Sequence, residues 1–382
     1  MKKILCIVGA RPNFIKAAAL YRAFKAFPAV AFQIVHTGQH HDTSMSDVFF
    51  RQLQLPRPDH YLNVSGGSAT QRIAQTLLAL EAVFERERPD LIVVIGDVNS
   101  TLTGALAASK AQIPLAHVEA GLRSGDRRMP EESNRIVTDH LSDYLFVTEQ
   151  AGFDNLQREG IPPEKVFFTG NCLIDSLVHY RHQANKLDTL ERLGLQTRPY
   201  VLMTLHRPSN VDTRTGLEKI LRLIELCATQ TRVVFPVHPR TRATLEQFGL
   251  SAQFSSLQGL LAIEPQGYLE FLQLLDHAAA VITDSGGVQE ESTFLQIPCL
   301  TFRENTERPV TVELGTNELL AELDPVLVLE RLHVALAGDW KKGVVPPLWD
   351  GKAGERIAEV LSSGRHLCRV KSPPAPPRRG GM

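Results

Sequence analysis

The sequence predicts an α/β fold of two doubly wound units, each on a parallel sheet, with a cleft between them. Three observations predict it. Short apolar runs alternate with segments of helical period. The alternation stops between residues 182 and 199 and then restarts. Nearly every apolar run ends in a charged residue, a histidine or a glycine, as strands do at the ligand edge of an open parallel sheet.

Taken in order, ILCIV (4–8) reads as a first strand, followed by a turn and a helix from about Pro12. Ile73, Leu77, Leu80 and Phe84 recur near every 3.6 residues and mark the apolar face of a helix. Ser68 and Gln71 form its expected capping box. LIVVIGD (91–97), PLAHVEAG (114–121) and YLFVT (144–148) are the next strands. HQANKLDTLERLGLQTRP (182–199) is polar and lacks a strand signal, so it reads as the crossing between domains. Strands resume at YVLMTLHRP (200–208), RVVFPVHPR (232–240), AAVITDSGG (279–287) and PCLTF (298–302). The expected domains are 1–180 and 190–353. A last helix begins at Gly354, and the Pro-, Gly- and Arg-rich tail, 369–382, is expected to be disordered.

A chain of 382 residues suits two domains of roughly 100–200 residues each. With 43% hydrophobic and 22% charged residues it has the composition of a globular protein. A net charge of −1 gives no reason to expect nucleic acid or an anionic membrane as partner. No apolar run approaches the ~18 residues of a membrane span. The opening MKKILCIVGARP carries too short an apolar run for a signal peptide, whose core needs ~7–15 residues. Cys6, Cys172, Cys227, Cys299 and Cys368 are scattered, odd in number and without CxxC spacing. A reduced, cytoplasmic protein without structural zinc is expected.

The strand ends hold the candidate chemistry. AVITDSGGVQEES (280–292) runs from a buried strand into Ser285-Gly286-Gly287 and then into a helix. The glycines permit φ > 0 and close approach of a ligand. The helix N-terminus offers free N–H groups and a positive dipole end, which suit a diphosphate. Glu291, one turn in, could accept from a ribose diol, or Glu290 and Glu291 could merely complement the dipole. Arg11, Lys16 and Arg308 could neutralise a diphosphate leaving group, although each taken singly is as readily a surface ion pair. Asp97, Glu119 and Glu131 are the candidate acid–base groups. Asp97 follows a run of β-type apolar residues, so partial burial and a raised pKa are expected.

Ten motifs then carry a resemblance: GARPNFIK (9–16), HTGQH (36–40), GDVNST (96–101), HVEAGLRS (117–124), MPEESNR (129–135), TGNCLID (169–175), TLHRPSN (204–210), VHPRTR (237–242), TDSGGVQEE (283–291) and TERPVTVELGT (306–316). In this order, from about residue 3 to 360, they resemble the non-hydrolysing UDP-N-acetylglucosamine 2-epimerases. The resemblance implies a GT-B-like fold: two Rossmann-like domains, an interdomain cleft, and a C-terminal helix (354–368) that packs back on the first domain. It implies a homodimer acting on a UDP-sugar. The implied reaction removes the C2 proton, expels UDP by anti elimination to leave a 2-acetamidoglucal, and adds UDP back with a proton on the opposite face. Such a route needs no nicotinamide and no metal. By the same resemblance Asp97, Glu119, Glu131 and His206 are catalytic. Arg11, Lys16, Arg135, His238, Phe271, Ser285, Gly286, Gly287, Glu291 and Arg308 bind substrate.

The match departs in places. Ala10 and Asn13 replace the Thr and Glu of a common GTRPE, and Ser209 stands where relatives have Glu. Gln39 and His238 match a second, activating nucleotide-sugar site, but Asp42 does not. The N-terminal half also resembles a branch acting on UDP-2,3-diacetamido-2,3-dideoxyglucuronate. A GT-B glycosyltransferase, a hydrolysing epimerase and a non-catalytic nucleotide-sugar sensor compete with the epimerase reading. A glycosyltransferase would need an acceptor pocket but not three carboxylates. A metal site at His40, His41 and Asp42 is disfavoured, because three adjacent residues converge poorly on one ion.

Overall fold

The structure is a computed structural model, and it describes residues 1–38 and 50–363. The candidate metal residues His40, His41 and Asp42, the activator-site residue Gln39, the end of the last helix and the 369–382 tail lie outside the described residues.

The first sheet has seven parallel strands in the order β3-β2-β1-β4-β5-β6-β7. They are β1 (Lys2–Val8), β2 (Val30–His36), β3 (His60–Tyr61), β4 (Leu91–Ile95), β5 (Leu115–Ala120), β6 (Tyr144–Val147) and β7 (Val166–Phe168). The second has six, β10-β9-β8-β11-β12-β13. These are β8 (Tyr200–Thr204), β9 (Arg232–Pro236), β10 (Leu260–Ile263), β11 (Ala280–Thr283), β12 (Cys299–Phe302) and β13 (Asn317–Leu320). β1 and β4 are adjacent in the first sheet, and β8 and β11 in the second. At these places the strand order reverses, and ligands of doubly wound folds bind at such points.

Both faces of each sheet are covered, which is why the strands read as continuous apolar runs. In β1, Ile4, Cys6 and Val8 face a core shared with α1 (Arg11–Phe24); Leu5 and Ile7 face α2 (Ala69–Glu87) and α3 (Asn99–Lys110). The capping box on α2 forms as expected: Ser68 Oγ accepts from the Gln71 N–H, and the Gln71 side chain accepts from the Ser68 N–H. Its buried face is Thr76, Leu80, Val83 and Phe84, so the predicted stripe is rotated and Ile73 and Leu77 are only half-buried. Three further helices follow in this lobe: α4 (Pro130–Leu141), α5 (Gln150–Arg158) and α6 (Cys172–Ala184).

The second lobe repeats the plan with α7 (Arg214–Ala228), α8 (Pro239–Gln247), α9 (Tyr268–Asp276), α10 (Gly286–Leu295) and α11 (Pro325–Leu336). The last helix, α12 (Ala353–Ser363), returns to the first lobe. Ala353, Ile357 and Leu361 are buried with Phe14, Leu20 and Tyr180. Asp175 of α6 caps it, accepting from the N–H groups of Ala353 (3.1 Å) and Gly354 (2.7 Å). The chain crosses back through Trp349, whose indole N–H donates to the carbonyl of Thr148 at 2.9 Å.

Candidate active site

Between the sheets lies an open cleft of about 1420 Å³. That exceeds the ~300–1,000 Å³ typical of small-ligand pockets and leaves room for a nucleotide sugar. Among the described residues, each expected catalytic or substrate-binding residue lines it except Glu119, which pairs with the lining residues Lys16 and Arg308. Local backbone explains the positions. Asp97 follows β4 on a turn made by Gly96 at φ +68°, and Glu119 sits where β5 slips register against β6, at φ +73°. Glu131 and Arg135 are one turn apart on α4, after Pro130 at its first position.

The wall carrying the carboxylates is an ion network that joins the two lobes. Lys16 Nζ is paired with Glu119 Oε2, and both side chains are buried. Arg308, from the second lobe, donates from Nη2 to Glu119 Oε1 at 2.7 Å and from Nη1 to Glu307 at 2.6 Å. Its Nε lies 3.0 Å from Glu290. Arg135 holds Asp97 Oδ2 through Nη2 (2.7 Å) and Nε (3.0 Å), and Glu132 through Nη1 at 2.6 Å. Asn171 donates to Glu290 at 2.8 Å. Burial pushes the Glu119 carboxyl up, but Lys16 and Arg308 outweigh it and hold it below the usual range. Burial also works against Glu307, yet Arg308, Arg303 and Arg135 hold it well below. For Glu290 burial wins, aided by Glu119, and its carboxyl is raised.

Next to this network in the cleft lining is the Ser285-Gly286-Gly287 turn at the start of α10. Ser285 does not cap that helix with its side chain. Asp284, wholly buried, organises the turn beside it: it accepts from the N–H groups of His206 (2.9 Å) and Arg207 (2.8 Å) and lies 3.0 Å from His206 Nδ1. The His206 and His238 rings are 5.2 Å apart. Phe271, half-buried, and Tyr268 close one end of the cleft, where the Tyr268 hydroxyl donates to Glu291 at 3.2 Å. Burial raises Glu291 to about 8.

Four expectations need correction. Neither Gly286 nor Gly287 adopts positive φ. Gly286 is needed instead because a Cβ there would stand 2.6 Å from Arg308 Nη1. Lys16 and Arg308 are not free cations waiting for a diphosphate, since both are committed to Glu119. Asp97 is not a lone desolvated acid, because Arg135 holds it. Glu290 does not face the cleft or simply complement the dipole: it is wholly buried on Arg308. Sequence reasoning also passed over Glu307, although TERP contains it, and Glu149.

Glu149 follows β6, is buried, and has one oxygen without a partner. Burial, with Glu290 adding to it, raises its carboxyl to about 8. A carboxyl raised on folding contributes stability that is whole below its unfolded value of ~4.5 and is lost as pH rises through about 8. Glu149→Gln should remove that loss and melt higher than the wild type at pH 9. Thermal melts at pH 6 and pH 9 check this; a variant that melts lower at pH 9 overturns it.

The site and fold together define an enzyme-like cleft, lined by acids, cations and a helix N-terminus, between two doubly wound domains. The family model for UDP-N-acetylglucosamine 2-epimerase matches residues 22–362. The UDP-N-acetylglucosamine 2-epimerase of Methanocaldococcus jannaschii is 40% identical over 371 residues, covering 95% of this chain and all of that protein. The crystal structure of that organism's UDP-GlcNAc 2-epimerase with UDP-GlcNAc and UDP superposes at a TM-score of 0.87, with 41% identity over 95% of this chain and 100% of that one. The UDP-2,3-diacetamido-2,3-dideoxy-D-glucuronate 2-epimerase of Pseudomonas aeruginosa is 41% identical over 364 residues, 94% of this chain and 99% of that protein. The chain belongs to the UDP-N-acetylglucosamine 2-epimerase family. Among the described residues no helix is long and apolar enough to cross a membrane.

Proposed function

We infer that the chain interconverts UDP-N-acetylglucosamine and UDP-N-acetylmannosamine. The observation that carries this reading is that Asp97 and Glu131, with Glu119 just behind on Arg308, line the same cleft as the Ser285-Gly286-Gly287 helix start. In our reading that start, with Arg11, His206 and His238, receives the diphosphate, and Glu291, Tyr268 and Phe271 receive the nucleoside. A carboxylate removes the C2 proton while the C1–O bond breaks, the electron pair leaving on UDP. The diphosphate is stabilised by helix N–H groups and cations. The C1=C2 glucal stays bound, UDP oxygen re-attacks C1, and a second carboxyl protonates the other face of C2. Lys16, Arg135 and Arg308 serve this by fixing the carboxylates. We divide the chain into domains at 1–180 and 190–353.

UDP-GlcNAc incubated with the enzyme alone in D2O should gain deuterium at C2 and yield the manno epimer, read by NMR. No deuterium at C2 would remove this reading. The P. aeruginosa relative supports a second substrate, the diacetamido glucuronate, and running both sugars in parallel decides between them. A homodimer is our reading of α2, where Ala74, Leu78 and Ala82 form an exposed stripe away from the core face, with Leu78 68% exposed. Light scattering giving a monomer mass would count against it. Among the described residues the four cysteines are buried and none is in a disulfide, which fits a reduced cytoplasmic setting.

A further inference from the structure

One turn, one strand and one helix carry the three carboxylates, and one buried side-chain pair touches all three pieces of chain. His117 lies on β5, two residues before Glu119, with no exposed surface. Its Nε2 is 2.8 Å from the carbonyl oxygen of Gly96, the residue before Asp97. Its Nδ1 is 2.6 Å from Asp139 Oδ1. Burial works against the Asp139 carboxyl, but His117 and Arg123 hold it below the usual range, so it is ionised. A carbonyl and a carboxylate only accept, so the ring donates from both nitrogens.

Asp139 is also wholly buried. It lies on α4 at positions i+8 from Glu131 and i+4 from Arg135, so the three share one helix face. Its second oxygen accepts from the Gly121 N–H at 3.1 Å and pairs with Arg123 at 2.7 Å. Arg123 in turn grips Glu159 through two 2.7 Å bonds. The backbone spanned by these contacts is irregular: Gly96, Glu119 and Gly121 all have positive φ. A non-glycine residue at φ +73° is strained and persists only where its surroundings fix it.

We propose that His117 and Asp139 form a charged positioning pair that fixes Asp97, Glu119 and Glu131 relative to one another and so governs proton transfer at C2. Neither lines the cleft. They act through the Gly96 carbonyl, the β5 slip and the α4 face. The nucleotide-binding end lies on the other lobe, so the pair sets turnover rather than affinity. What is positioned rests on the epimerase reading; the hydrogen-bonding state of the ring does not.

The test uses the full-length enzyme labelled with 15N-histidine. Ring-nitrogen NMR at pH 7.5 should show an imidazole with hydrogens on both nitrogens, in wild type and in His206→Ala alike, the latter lacking the other ring beside a buried aspartate. That signal should vanish in His117→Gln. Kinetically, His117→Gln and Asp139→Asn should lower kcat at least ~30-fold, somewhat less than the ~100-fold or more of a lost general acid–base, with KM inside about threefold. Asp139→Glu, which keeps the charge, should recover part of the loss. A ring with one hydrogen overturns the proposal, even if neither variant folds. So does unchanged kcat, or a loss carried by KM. A wild type inert toward UDP-GlcNAc sinks the functional reading instead, and the kinetic arm is then judged on the UDP-sugar the wild type does epimerise.

Discussion

Asp97→Asn should lower turnover at least ~100-fold while leaving UDP binding within about threefold of wild type, the scale of a lost general acid–base. The substitution isolates proton transfer. Arg135 donates twice to one oxygen, Oδ2, and an amide oxygen can accept the same two bonds. The turn after β4 and the position of α4 therefore survive, but the side chain can no longer take up a proton. Glu119→Gln makes an instructive contrast. Glu119 offers one oxygen to Lys16 and the other to Arg308. A glutamine must turn its NH2 toward one of these cations, so it loses an ion pair as well as a carboxylate. Turnover should fall at least as far, with KM rising because a tie between the lobes is cut. Steady-state kinetics with UDP titration calorimetry measures both. Turnover within tenfold of wild type in both variants would place the proton carriers elsewhere.

The strands legible in the sequence are those buried on both faces, whose runs are nearly all apolar; β5, with His117 and Glu119, is the exception. Those missed depart from that pattern. β3 has two residues and β7 three, β7, β10 and β13 lie at sheet edges, β10 and β13 are largely half-buried, and β2 is half-buried over its first four residues. Strand ends were legible for a different reason: glycines and charged residues directly after an apolar run mark where a doubly wound sheet meets its ligand. What could not be read was who pairs with whom. Arg308 and Glu119 are 189 residues apart. A lone Arg beside a proline gives no sign of whether it awaits a phosphate or a buried acid. The same holds for QEE, where adjacent glutamates take opposite fates: Glu290 goes to Arg308 and Glu291 to Tyr268 beside the cleft. Gly286 was expected for its φ, but what the structure shows there is a guanidinium packed against it, a tertiary fact.

Arg308→Met should produce the largest stability loss of any single change at this site, about 3–5 kcal/mol, the range for removing one partner from a buried ion network. Arg308 is 6% exposed and meets Glu119, Glu290 and Glu307 with three different nitrogens. Methionine fills much of the volume but meets none of them. Glu119 keeps Lys16, and Glu307 keeps Arg303 and Arg135. Glu290 keeps only the Asn171 amide, so it carries most of the penalty. Its carboxyl is already raised by burial with the guanidinium present and must rise further without it. A carboxyl raised in the folded state favours folding at low pH and loses that contribution as pH climbs through its folded value. The deficit should therefore be larger at pH 8 than at pH 5.5 in urea melts. Arg308→Lys should rescue only partly, because a single ammonium cannot reach three acids in three directions. If Arg308→Met unfolds at the wild-type urea concentration at pH 8, the acids are not held by this residue and the lobes are joined by something else.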